Sequence, residues 1–237
     1  MLLRSKQKRA LIEADIMKYW IYAIGEVCLV AIGLLIALQV DNWSNEQDNR
    51  ALEQQYYESM LAQLVKDKDA LVTTIEQAQY LSDRFDLAIS IIDKNDREQS
   101  ALLGAITIEL KDYADFRQKS SIFQTLVNSG EIKHIRNKNI VSTLQEVESM
   151  YSYIERLEGV HEQAVMTLIA DQLIEIIQIQ PLEVKQPEAL YGYVLKNTFM
   201  LIRGLNVETG SVYQQTAQDI DSAITMIEQE LEINNQE

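Results

Sequence analysis

Cysteine is nearly absent from these 237 residues, with Cys28 the one example, and proline and histidine occur twice each. A single thiol excludes a disulfide framework and a thiolate metal site. The histidines, His134 and His161, lie 27 residues apart with no HExxH spacing. They make no zinc site. Eight glycines and 7% aromatics argue against glycine-rich phosphate loops and turn-dense β-sandwiches. Basic side chains are the minority, 21 against 36 acidic ones for a net charge of −15, which excludes a nucleic-acid binder working through counterion release. No nucleophile elbow, phosphate loop or dinucleotide fingerprint occurs. The expectation is a helical, non-enzymatic protein with no catalytic residues, no cofactor, no metal and no nucleic-acid partner.

What is present is strongly ordered along the chain. Residues 1–18 carry Arg4, Lys6, Lys8, Arg9 and Lys18 against Glu13 and Asp15, a local charge of +3, whereas residues 41–237 hold 16 basic and 33 acidic side chains. Between them Ile21 to Val40 is a 20-residue apolar run interrupted by one charged residue, Glu26. At 1.5 Å rise per residue it spans about the 30 Å of a bilayer's hydrocarbon core. Tyr19, Trp20 and Tyr22 at one end and Trp43 at the other match an interfacial aromatic belt. A buried core helix would not be apolar on every face for that length, and a cleaved signal peptide would have a shorter apolar region followed by a small-x-small site. The expectation is a signal anchor, and the positive-inside rule places the N-terminus in the cytoplasm and the rest outside.

Two features of the span have alternative readings. Glu26, about five residues into the span, is either a proton-handling carboxyl, as in ion-coupled stator subunits, or a protonated group hydrogen-bonded between helices or snorkelling to the interface; the second is the simpler. Gly25, Gly33 and Ala37 lie on one helix stripe and permit close approach of a second membrane helix.

The segment Tyr22 to Glu46, YAIGEVCLVAIGLLIALQVDNWSNE, resembles the opening of a family of short bacterial membrane proteins known only as a domain of unknown function. The likeness lies in a YAIGE start, a second membrane glycine, an IALQ exit and an NW before an acidic linker. Ser44 stands where Asn is common. A second patch, Phe123 to Asn137 (FQTLVNSGEIKHIRN), is similar to an aromatic, Leu, Ser-Gly, Ile-x-Asn pattern of the same family. The resemblance implies a single-pass anchor in the bacterial inner membrane followed by a helical domain, and it supplies no catalytic residue.

Beyond the anchor, residues 45–93 contain no Gly or Pro, and a heptad seam runs through Tyr57, Leu61, Leu64, Lys68, Leu71, Ile75, Ala78, Ser82, Phe85, Ile89 and Ile92. Lys94 to Arg97 ends that helix. A second helix is predicted over Ser100 to Phe116, and a short third is capped by Ser120 or Ser121 and stopped at Asn128-Ser129-Gly130. A fourth runs from an Asn137 cap to about Ile179, until Pro181 closes it. Gln180 to Gln186 reads as a linker, Pro187 as a first-turn residue, and Gly204 and Gly210 as a bend or break in the last helical region, whose seam is Tyr213, Ala217, Ile220, Ile224, Ile227 and Leu231.

These elements predict one all-α fold: a basic cytoplasmic tail (1–18), a transmembrane helix (19–43), an elongated antiparallel bundle outside the cytoplasm with coiled-coil-like seams and no sheet (44–233), and a frayed tail (234–237). Lys133, His134, Arg136 and Lys138 form a basic island in the acidic domain, read either as a solvated loop or as an anion or partner contact. Glu228, Glu230 and Glu232 read as a solvated helix face. The function classes left are a scaffold or accessory subunit that self-associates or holds a periplasmic or membrane protein partner, a sensor-type ligand-binding bundle acting through a partner, and a stator-like component using Glu26. The bilayer is the first expected partner.

Overall fold

The computed structural model describes residues 2–118 and 121–234, and within that range the side chains of 26 and of 28–233. The chain divides into two units, residues 1–53 and 54–237. Helix α1 (Leu2–Lys94) supplies all of the first unit and the opening helix of the second. In the first unit the described side chains from Cys28 to Asp48 are exposed, among them Leu29, Val30, Ile32, Leu34, Leu35, Ile36, Leu38 and Val40. Within α1 lies the one described helix long and apolar enough to cross a membrane. The calls on Tyr19, Trp20, Tyr22 and Gly25 fall on side chains outside the described residues, as does the frayed tail beyond Asn234.

The second unit is all-α apart from a two-residue hairpin. After α1 come α2 (Ser100–Glu109), α3 (Ile122–Ser129), α4 (Lys138–Ala164), a π-helical turn (Val165–Ile169), α5 (Ala170–Ile176), β1 (Ile177–Gln178), β2 (Glu183–Val184), α6 (Pro187–Leu190) and α7 (Tyr193–Asn234). Cross-links fix the directions. Lys68 pairs with Asp221, Asp86 with Arg203 and Asp93 with Lys196, so α1 and α7 are antiparallel. Asn137 meets Glu230 and Glu158 meets Tyr213, so α4 and α7 are antiparallel too. The leg from α2 to α3 descends beside α1, tied at its top by the two-pronged Arg84–Glu109 pair (2.7 and 2.8 Å) and at its foot by Gln63 accepting from the Ile122 amide (2.7 Å).

The capping chemistry follows the sequence. Ser121 accepts from the Gln124 amide, Asn137 from the amides of Asn139 and Ile140, and Gly130 ends α3 at φ 77°, ψ 6°, a left-handed conformation in which any side chain would be strained.

The buried register of α1 differs from the predicted one. Tyr57, Leu64, Leu71, Ala78, Phe85 and Ile92 are buried as expected, but the alternate positions are Met60, Asp67, Thr74, Leu81 and Ala88, one residue before Leu61, Lys68, Ile75, Ser82 and Ile89. Of that second set Ser82 alone is itself buried; the others are half-buried flanks. The predicted seam took Lys68 and Ile75 where Asp67 and Thr74 are buried. Both enter the core because their polar atoms find partners: Thr74 donates to the Ala70 carbonyl (2.9 Å), and Asp67 accepts from Tyr151 Oη and Gln63 Nε2 (both 3.1 Å).

Four further differences have physical causes. The second helix ends at Glu109, not Phe116, and residues 111–118 run as an extended strap. The fourth helix does not run evenly to Ile179. Its buried positions through His161 would continue at 165, 168, 172 and 175, placing Gln172 and Glu175 inward; the π turn adds one residue and brings Ile169, Leu173 and Ile176 to the core instead. The expected linker carries β2, which pairs with β1 at the end of the predicted fourth helix, Ile177 with Val184 and Gln178 with Glu183. It packs so closely on α2 that a Cβ at Gly104 would lie 2.9 Å from Val184 Cγ2. Finally, α7 passes through Gly204 and Gly210 without a break; Gly210 lies against Ala78, where an added Cβ would make an ordinary 3.7 Å contact, and Gly204 faces open space.

Two core clusters result, one around Tyr57, Leu71, Ile140, Val147, Tyr213 and Ile220, the other around Phe85, Leu103, Ile106, Leu173 and Phe199, whose ring centroid lies 5.7 Å from that of Phe85. Thermal or urea unfolding should show Phe85→Ala costing about 3–5 kcal/mol. Gly204→Ala, on an exposed face of an unbroken helix, should instead stabilise the bundle by about 0.5–1 kcal/mol; a loss would mean that α7 bends there.

Candidate functional site

The Lys111 and Asp112 amides still bond the carbonyls of Ile108 and Glu109 at the end of α2, but from Tyr113 on the strap has no helix or sheet hydrogen bonds, so its buried peptide groups need side-chain partners. Three elements supply them. From α7 the Tyr213 hydroxyl lies 3.0 Å from the Ala114 carbonyl oxygen; from α4 Glu158 Oε1 accepts from the Phe116 amide at 2.8 Å; from α1 Gln77 Nε2 donates to the Tyr113 carbonyl at 3.3 Å. The side chains alternate, Ala114 and Phe116 inward and Asp115 and Arg117 outward. Phe116 stacks on Tyr151 (5.4 Å between centroids) and Tyr113 on His161 (5.1 Å).

Between the strap and α4 lies a cleft of about 620 Å³. Its α4 wall is a polar stripe at heptad spacing, Glu148, Ser152, Glu155, Gly159 and Glu162, with Tyr151 and Glu158 at its inner edge; its strap wall is Tyr113 to Gln118. Five carboxylates (Asp115, Glu148, Glu155, Glu158 and Glu162) face one guanidinium, Arg117, which is paired with Asp115 at 2.7 Å. A cleft lined by one sign of charge concentrates ions of the other sign, so this one favours cationic groups. Glu148 also accepts from Ser121 Oγ at 2.6 Å, tying the start of α3 to the same wall. Among the described residues no group of three or more His, Cys, Asp or Glu side chains comes together to hold a metal ion.

The groups behind the cleft are buried and titratable. Glu158 is buried with its Oε1 2.5 Å from the Tyr213 hydroxyl. Burial raises its pKa against the lowering pull of the Tyr213 and Phe116 hydrogen bonds, and Asp115 adds to the rise. Asp67 is raised for the same leading reason, burial, with Gln63 and Tyr151 opposing it. His161 is 2% exposed, its Nε2 has no hydrogen-bond partner, and burial pulls its pKa down to about 4. It is therefore a neutral, stacked ring at neutral pH.

The sequence-predicted positions are scattered. Glu26, Gly33, Ala37 and Trp43 are exposed on the first unit, and an added Cβ at Gly33 would meet nothing within 4 Å. The basic island folds back on its own chain in part: His134 Nε2 stands 3.3 Å from Glu131 and Lys138 Nζ donates to the Ile135 carbonyl at 3.1 Å, while Lys133 and Arg136 are exposed. Of the acidic run, Glu228 and Glu232 are exposed and Glu230 accepts from Asn137 Nδ2 at 2.9 Å. Sequence reasoning missed the cleft. The i, i+7, i+14 recurrence of Glu148, Glu155 and Glu162 was a legible signal for one wall, but the other wall is the strap, which had been assigned to a helix. The chain matches no family model, no curated protein and no solved structure.

A pH prediction follows from His161. A depressed native pKa means the unfolded chain binds the proton more tightly, so His161 withdraws stability as pH falls from about 6.5 toward about 4. Relative to His161→Leu, which does not titrate, the wild-type protein should lose roughly 3 kcal/mol across that interval in urea unfolding. A constant difference between the two would show that His161 is not buried as a neutral ring.

Proposed function

We propose that the chain is a membrane-anchored, non-enzymatic helical scaffold or accessory subunit: residues 19–43 cross the inner membrane of a bacterium, residues 1–18 stay in the cytoplasm, and the bundle lies at the periplasmic face, where the protein self-associates and holds a protein partner. The observation that carries this reading is the uncovered apolar surface of the first unit, where Leu29 is 74% exposed and Leu34, on another face of the helix, 63%. Removing such side chains from water is worth about 1.5–3 kcal/mol each, and a bilayer is the environment that removes them on all faces at once. The +3 charge before the span and the acidic stretch after it support the orientation, and the resemblance of Tyr22 to Glu46 to single-pass bacterial anchors supports the location. The open face at Gly33 leaves room for a second helix along the Gly25, Gly33 and Ala37 stripe. Glu26 beside it serves as a hydrogen-bonding group between helices. The same seams that organise the bundle are coiled-coil-like in spacing.

The cleft favours a second reading, a ligand-binding bundle that acts through a partner, because an acidic cavity of this size is suited to a cationic group.

A C-terminal alkaline phosphatase fusion should be active and a C-terminal fusion to a reporter that fluoresces only in the cytoplasm dark; the opposite pattern would refute the orientation. Gly33→Leu should weaken self-association in detergent, while Glu26→Gln, which keeps hydrogen bonding without the titratable proton, should be tolerated. Loss of function in Glu26→Gln with the oligomer intact would move the stator-like reading into first place.

A further inference from the structure

The cleft between the strap and α4 contains a buried carboxyl that the bundle does not neutralise. Glu158 lines the cleft and is 9% exposed, and its Oε1 takes both the Phe116 amide (2.8 Å) and the Tyr213 hydroxyl (2.5 Å). Contacts this short suit an ionised acceptor, and a buried charge is ordinarily paired with an opposite one. Among the described residues no cation forms an ion pair with Glu158, because Arg117, the one cation on the cleft wall, bonds Asp115 at 2.7 Å instead. Burial raises the Glu158 pKa for want of such a partner, and a cation bound beside it would offset that rise. Glu155 and Glu162, exposed on the same wall, make no ion pair with a described residue either.

The spread of these carboxyls selects the guest. A metal ion needs several ligands converging on one point, and among the described residues no three His, Cys, Asp or Glu side chains do so. Glu148, Glu155 and Glu162 instead recur every seven residues, which sets them about 10.5 Å apart along α4 and makes the acidic stripe about 21 Å long. Charges strung along a slot are matched by a cation whose charges are strung out in the same way. Tyr113, Phe116 and Tyr151 in the lining supply aromatic surface against which hydrocarbon links can pack, and aromatic rings also attract ammonium groups. The volume of about 620 Å³ falls in the range of small-molecule sites. We propose that the cleft binds a linear organic polyamine, with one ammonium group against Glu158 at the inner edge and the others along Glu155 and Glu162. The proposal rests on the reading of the bundle as a ligand-binding module and names the ligand class of its cleft. All of these residues lie in the second unit, so it stands independently of the membrane reading.

The test is isothermal titration calorimetry on the full chain in phosphatidylcholine nanodiscs at neutral pH and low salt, with spermidine, ethylamine and magnesium chloride as probes. A chain of net charge −15 attracts any polycation to its surface, so two double variants separate the cleft from that background. Spermidine should saturate one site per chain and bind at least about tenfold more tightly than ethylamine or magnesium. Glu155→Gln with Glu162→Gln should weaken it by about tenfold or more, the scale of a lost hydrogen bond between charged groups. Glu228→Gln with Glu232→Gln removes the same charge from exposed positions on α7 and should leave the affinity within about twofold, as expected where salt and solvent screen distant charges. Glu158→Gln, which keeps an acceptor for the Phe116 amide, should weaken spermidine as the cleft pair does; if it lacks a helical circular dichroism spectrum, the cleft pair, on exposed side chains, decides alone. Equal weakening by the two double variants would overturn the proposal. Binding of magnesium or ethylamine that matches spermidine's and needs Glu155 and Glu162 would overturn the polyamine and leave a cation-binding cleft. Absence of cleft-dependent binding for all three probes would overturn the ligand-binding reading with it.

Discussion

The interaction on which the bundle's arrangement turns is the polar clasp between Glu158 and Tyr213. Peptide groups of a non-helical segment inside a helical core cost free energy unless something replaces the missing ladder. Tyr213 from α7 and Glu158 from α4 meet 2.5 Å apart and together serve the Ala114 carbonyl and the Phe116 amide. One contact thus joins three legs of the bundle. It also explains why the helix that begins at Ser100 stops at Glu109: once Ala114 and Phe116 point inward with alternate residues outward, the extended backbone buries two apolar side chains and leaves Asp115 and Arg117 in water, and the clasp satisfies the peptide groups that helix bonds would otherwise have used.

The same logic governs the other buried polar residues. Asp67 occupies a seam position of α1 because Tyr151 of α4 and Gln63 one turn earlier bond it. A tyrosine bonded to a carboxylate therefore links α1 to α4 just as another links α4 to α7. Both tyrosines are shifted upward in pKa, burial being the largest cause in each. Buried polar pairs of this kind reward one register, since sliding a helix by a turn would strand both members. The π turn at Val165–Ile169 belongs to the same account. It resets the phase of the rising leg so that Ile169, Leu173 and Ile176 enter the second core cluster and Glu175 stays in water.

These features bear on function through the cleft. Its α4 wall is built from the outward stripe of a helix whose inward stripe is already committed to Val147, Ile154 and the clasp. Its other wall is a strap attached through a few polar contacts and two apolar side chains, a lower stability than that of the helices around it. Glu158 belongs to both, lining the cleft and holding the Phe116 amide of the strap. In the first unit the described side chains between Cys28 and Val40 are exposed and, Gln39 apart, apolar or glycine.

Composition and local spacing by themselves determined the helical class, the apolar N-terminal helix, the caps at Ser121 and Asn137, the left-handed Gly130 stop and the first-turn place of Pro187, because each is a contest between neighbouring atoms settled within a few residues. Half of the α1 seam was legible for the same reason, since Tyr57, Leu64, Leu71, Ala78, Phe85 and Ile92 are apolar in every reading of the period. Tertiary structure decided what depended on partners distant in the chain. Asp67 and Glu158 are buried because Tyr151 and Tyr213 come from other helices. Residues 112–118 leave the helix because those helices satisfy their backbone, and α7 continues unbroken through Gly204 and Gly210 because its long packed face outweighs the low helix propensity of glycine. A polar side chain read alone belongs on the surface; only a hydrogen-bond partner brought in by the fold makes the interior the lower-energy place for it.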